Sequence, residues 1–148
     1  MKILIMGLPG SGKTTLAGKL KAALLGQHKT VMWLNADMIR QLYDDWDFSH
    51  EGRIRQAKRL ADLANVSDDD YTIVDFVAPL QESRDIFDAD FTIWMDTIIM
   101  SRYKDTDQVF EPPVCDLHIQ NTDYSVDTVY QVIINIPVKL KGRSNDGT

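Results

Sequence analysis

A single cysteine, Cys115, occurs in 148 residues. An intramolecular disulfide and a cysteine-built zinc site are thereby excluded, and a reducing, cytoplasmic setting is the expectation. No apolar run approaches the ~20 residues that span a bilayer, so no membrane partner is expected. The start, Met1-Lys2-Ile3-Leu4-Ile5-Met6, runs straight into a glycine-rich turn. It has neither the apolar length nor the small-residue cleavage site of a secretory signal. Positive charge is also scarce. Sixteen Lys and Arg stand against 22 Asp and Glu, a formal charge of −6, which argues against broad nucleic-acid binding. His28, His50 and His118 are widely spaced, and no pair has metal-ligand spacing.

What is present suits one globular domain: 44% of residues are apolar and 26% charged. Short apolar runs alternate with longer amphipathic stretches, the pattern of βαβ units and a parallel sheet. Strands are expected at 2–6, 30–34, 71–74, 91–95 and 117–119. Helices are expected at 14–25 and 38–43, from the Ser49 cap through Ala64, and from near Ser125 to a stop before Pro137. No repeat and no linker divides the chain.

Gly7-Leu8-Pro9-Gly10-Ser11-Gly12-Lys13-Thr14 fits G-x-x-x-x-G-K-[ST] without a mismatch, between an apolar strand and an amphipathic helix. The glycines permit a tight turn whose N–H groups point inward at anionic oxygens, and the helix adds its positive end. Lys13 brings a mobile charge to the β- and γ-phosphates, and the Thr14 hydroxyl is placed to ligate Mg²⁺. Thr15 completes the ATP-binding set. The competing serine-nucleophile reading fails, because Gly10-Ser11-Gly12 belongs to this loop. The fold class is therefore α/β, a P-loop NTPase-type doubly wound parallel sheet of about five strands. Residues 1–137 are expected to form one P-loop domain and 138–148 a polar tail.

In such sheets the ligand crevice lies at the carboxyl ends of the strands. Asp37 follows the second strand, where it can orient an acceptor hydroxyl or take its proton. Asp75 ends the third strand, in the form of an acidic residue that holds Mg²⁺. The plainer reading of each is a helix cap. Asp96, at the end of the fourth strand, reads as a cap.

From here the residues resemble the adenylylsulfate (APS) kinases, P-loop kinases that phosphorylate the ribose 3′-hydroxyl of adenylyl sulfate. Asn35-Ala36-Asp37-Met38-Ile39-Arg40 resembles the family's Asp-Gly-Asp-Asn-x-Arg, and Asp47-Phe48-Ser49 its Gly-Phe-Ser. Arg53, Gln56 and Lys58-Arg59 match the next helix. Phe76-Val77-Ala78-Pro79 with Arg84 is similar to Phe-Ile-Ser-Pro-x-Arg-x-x-Arg, Asp96-Thr97 matches an Asp-Thr, and the segment 106–113 resembles Ile-Asp-x-x-Tyr-Glu-x-Pro.

The resemblance implies ATP and Mg²⁺ as cofactors and a nucleotide, adenylyl sulfate, as the small-molecule partner. It implies an acceptor site of Asp37, Arg40, Phe48, Arg53, Gln56, Phe76, Val77 and Ala78, with Phe48 or Phe76 against adenine. It leaves a homodimer open. Three departures stand out. Asn35 replaces the family's first aspartate. Gln81 stands where the family has its first Arg after the proline. The connection from Asp96 to Asp107 is too short for the family's basic lid, leaving Arg102-Tyr103-Lys104, with Arg102 on the ATP side. The alternatives are a kinase for another hydroxyl (nucleoside, nucleotide or polynucleotide 5′-end) and a nucleotide-binding protein that has lost transfer.

Overall fold

The computed structural model describes residues 1–136; the expected polar tail lies outside the described residues. Five strands, β1 (Lys2–Met6), β2 (Val31–Asn35), β3 (Tyr71–Asp75), β4 (Phe91–Met95) and β5 (Leu117–Ile119), form one sheet in the order β2-β3-β1-β4-β5. Every pairing is parallel. The helices among the described residues are α1 (Lys13–Leu25), α2 (Ala36–Tyr43), α3 (His50–Asn65), α4 (Gln81–Phe87), α5 (Lys104–Val109) and α6 (Val126–Ile134). None is long and apolar enough to cross a membrane.

Alternation along β1 explains the two layers. Ile3 and Ile5 face one side, where Leu16, Leu20 and Leu24 of α1 meet Val129 and Ile133 of α6. Leu4 and Met6 face the other, where Ile39 of α2, Leu60 of α3 and Phe87 of α4 close the second core. A strand covered on both faces has no polar side to show, which is why β1 reads as a continuous apolar run.

Two local details differ from the sequence expectation and position the site. First, β2 runs into α2 with no loop between them. Asn35 ends the strand and caps the helix, its side chain accepting from Met38 N–H at 2.9 Å. Asp37 is thus in the first turn and is not the cap. Second, Asp96 is not a cap either, since α5 begins only at Lys104. Asp96 instead meets His118 Nε2 at 2.8 Å, and the His118 ring lies flat on Trp94 at 4.4 Å. Ser49 and Ser125 do cap α3 and α6. Because β2, β3 and β1 are neighbours, Asn35, Asp75 and the glycine-rich loop emerge side by side at the carboxyl end of the sheet.

Candidate active site

The glycine-rich loop needs its glycines. Gly7, Gly10 and Gly12 have φ of 149°, 87° and 98°, where a side chain is strained. At Gly7 a Cβ would also stand 2.4 Å from the Met95 carbonyl oxygen and 2.8 Å from Ser11 Oγ. The turn is closed by Ser11 N–H donating to the Leu8 carbonyl at 3.1 Å and by Thr97 Oγ1 donating to the Ser11 carbonyl at 2.7 Å. Ser11 Oγ is buried against Gly7 with no hydrogen-bond partner, and Ser11 does not line the cleft. Lys13 Nζ donates to the Leu8 carbonyl at 3.0 Å. Burial pulls its ammonium down to about 8, with the Asp75 and Asp37 charges opposing. An incoming triphosphate would add negative charge beside this lysine and favour its charged form.

At the mouth of the loop, Thr14 Oγ1 donates to Asp75 Oδ1 at 3.2 Å. Asn35 Nδ2 donates to the same oxygen at 2.8 Å, and Trp33 Nε1 donates to Asp75 Oδ2 at 2.7 Å. Asp75 is 3% exposed. A hydroxyl and a carboxylate side by side are the hard oxygen donors that Mg²⁺ prefers, so the residues present fit that ion.

The opposite wall of the cleft, whose volume is about 970 Å³, comes from α2, α3 and the turn between them. Asp37 lies on its surface. Arg40, 4% exposed, donates from Nη1 to the carbonyls of Asp45 and Asp47 at 3.0 and 3.2 Å and lies over the Phe48 ring at 4.4 Å. Arg53 Nε donates to the Phe48 carbonyl at 2.8 Å, and its guanidinium is 5.5 Å from the same ring. Burial lowers the pKa of both arginines, opposed at Arg40 by Asp45, 4.0 Å away, and by Asp37, and at Arg53 by Asp105.

Of the expected residues, Pro9, Gly10, Gly12, Lys13, Thr14 and Thr15 line the cleft on the loop side, together with Arg102. Phe76 and Val77 line its floor. Two expected acceptor residues stand behind the wall. Gln56 is fully buried, donating to the Ala36 carbonyl at 2.8 Å and accepting from Arg59. Ala78 is fully buried at a positive φ of 46°, its carbonyl accepting from Arg84 Nε. Arg84 is likewise spent on carbonyls, those of Ala78, Pro79 and Glu111.

A clamp escaped the sequence reading. Arg55 holds Asp45 through Nε at 2.7 Å and Asp47 through Nη2 at 3.1 Å, while Arg59 holds Asp45 at 2.9 Å. These pairs keep the Asp45 carboxyl well below its ordinary value, chiefly through the Arg55 bond. The available signal was two arginines four apart on one helix, following two aspartates two apart.

The adenylylsulphate kinase family profile matches residues 1–106. The chain belongs to this family. Among curated adenylyl-sulfate kinases, that of Clostridium kluyveri is 33% identical over 82 residues, 53% of this chain and 41% of the relative. Cytidine diphosphoramidate kinase of Campylobacter jejuni is 30% identical over 86 residues, 58% of this chain and 50% of the relative. The chain's matches thus span half or less of these curated relatives. The APS kinase CysC of Mycobacterium tuberculosis, solved with AMPPNP and APS, shares the fold. Its TM-score is 0.72 at 23% identity, covering 90% of this chain and 95% of that one.

Proposed function

We propose that the protein is an ATP-dependent kinase that moves the γ-phosphate of ATP to the ribose 3′-hydroxyl of adenylyl sulfate. One observation carries the reading. A triphosphate cradle and a wall of one carboxylate, two buried arginines and an aromatic ring face the same cleft. On the loop side, backbone N–H groups and Lys13 hold the phosphates. Thr14 and Asp75 would hold Mg²⁺, which when bound spreads charge over the β- and γ-oxygens. On the acceptor side, Arg40 and Arg53 offer charge-assisted bonds to the phosphosulfate, and Phe48 or Phe76 an aromatic face for adenine. Asp37, exposed and free of capping duty, takes the proton of the 3′-hydroxyl as that oxygen bonds to the γ-phosphorus and ADP departs.

A second acceptor class has its own support, because the Campylobacter relative is named for cytidine diphosphoramidate. A nucleotide with another base fits the same chemistry of arginines and a stacking ring. Product analysis separates the two. Purified protein is incubated with MgATP and, in parallel, adenylyl sulfate, cytidine nucleotides, nucleosides and a 5′-hydroxyl oligonucleotide. Formation of 3′-phosphorylated adenylyl sulfate supports the first reading. Its absence at millimolar acceptor, beside clear transfer to another member of the panel, replaces it.

A further inference from the structure

Trp33 lies on β2, an edge strand of the sheet. Trp33 and Asn35 are on the same face of β2, and their register partners on β3 are Ile73 and Asp75. The indole packs toward the core beneath α1, where a Cβ on Gly18 would lie only 3.6 Å from its ring. Its Nε1–H donates to Asp75 Oδ2 at 2.7 Å. The other oxygen, Oδ1, takes Asn35 Nδ2 at 2.8 Å and Thr14 Oγ1 at 3.2 Å. Asp75 therefore receives donors on both oxygens, from β2 and from α1, and its carboxylate plane has no freedom to turn.

We propose that Trp33 is a positioning residue for the cation site: it fixes the Asp75 carboxylate so that its charge faces Thr14 and a triphosphate-borne Mg²⁺. The proposal rests on the reading of Thr14 and Asp75 as that site. A group that orients a carboxylate near a metal acts on metal affinity, and losing one such group costs about 10- to 100-fold. The indole is suited to the role because it is a donor only. It cannot compete for the cation, and its ring packs against the core beside Gly18. A phenylalanine there keeps the apolar packing and removes the one polar contact.

The test is a cycle of four proteins: the unaltered chain, Trp33→Phe, Asp75→Asn and the double variant. For each, calorimetry measures the affinity for AMPPNP in EDTA and in graded Mg²⁺, and a thermal melt checks the fold. The gain in nucleotide affinity that Mg²⁺ confers is the quantity of interest. Trp33→Phe is expected to lower that gain about ten-fold and to leave AMPPNP affinity in EDTA unchanged. In the Asp75→Asn background the same change should have no further effect. An unaltered Mg²⁺ gain in Trp33→Phe, with loss in Asp75→Asn, overturns the role of Trp33 and leaves the cation site standing. Equal losses from Trp33→Phe with and without Asp75 overturn it too, since the indole would then act through packing. An unaltered gain in Asp75→Asn overturns the cation reading and the proposal with it.

Discussion

Single side chains decide the chemistry of this cleft, and three of them invite substitution. Lys13→Ala is expected to reduce transfer by ~10²–10³-fold, the scale of losing one preorganised charge at the transferring group. The fold should survive, because the loop is closed by backbone and Thr97 contacts rather than by Lys13 alone; steady-state kinetics and a melt check both halves. Asp37→Asn should lower kcat by at least ~10²-fold with no change in melting temperature. The capping of α2 by Asn35 makes that second half sharp. Asn35→Asp is the more informative change. It restores the residue that the family resemblance expects, yet it would put a second carboxylate where the amide now donates to Asp75 at 2.8 Å. Like charges at that distance force one group to keep a proton. The Mg²⁺-dependent affinity for ATP should fall roughly ten-fold. The reciprocal exchange, Asn35→Asp with Asp75→Asn, should recover most of it, and calorimetry on the three proteins reads the result.

At the scale of elements, the turn between α2 and α3 is held in place by side chains of both helices. Arg55 and Arg59 grip Asp45, Arg55 also grips Asp47, and Arg40 holds the carbonyls of both. Arg55→Ala should raise the acceptor KM several-fold and leave the ATP KM unchanged, because the ion pairs of this clamp join only α3 to the α2–α3 turn. The clamp also has a pH signature. The native pKa of Asp45 is depressed, so its stabilising contribution is complete above the ordinary value of 3.8. It is lost as pH falls below 3.8 through the depressed native value. Melting temperature below pH 4 should therefore drop more steeply in the unaltered protein than in Arg55→Ala.

Why some of these elements were readable and others were not follows from where their signals reside. Strands β1, β3, β4 and β5 announce themselves as apolar runs, and α1, α3 and α6 by period and cap. The phosphate loop is legible because its chemistry is contiguous. Helices α4 and α5 were invisible: each is a turn or two long, and neither Leu80 nor Tyr103 supplies a capping side chain. Their supports are tertiary, as with Arg84 reaching the carbonyls of Ala78 and Pro79. The same reasoning accounts for Gln56, expected in the acceptor set, and for Arg84, known from the sequence only as part of a motif match. Folded, they serve backbone carbonyls. Trp33 is the converse, a strand residue whose polar edge matters only once β3 lies beside it.

For the whole molecule, the short connection after β4 is expected to govern how the cleft treats water. Ile99 and Met100 face solvent, as does Arg102 at the cleft's edge. A site that is not closed over its nucleotide lets water reach the γ-phosphate. With MgATP and acceptor present, ADP release is expected to exceed phosphorylated acceptor, and some ADP should form with no acceptor at all. Paired measurement of both products tests this. The sheet order carries one more consequence, for the time course of folding. β1 is the first strand in the chain, yet it lies between β3 and β4, with Lys2 beside Thr72 and Ile3 beside Phe91. Partners so distant along the chain make closure slow. The carbonyl packed against Gly7 belongs to Met95, at the end of β4. The loop nearest the beginning of the sequence is therefore expected to be among the last parts to take shape. A nascent or truncated chain that stops short of β4 would carry every residue of the phosphate motif and bind no nucleotide.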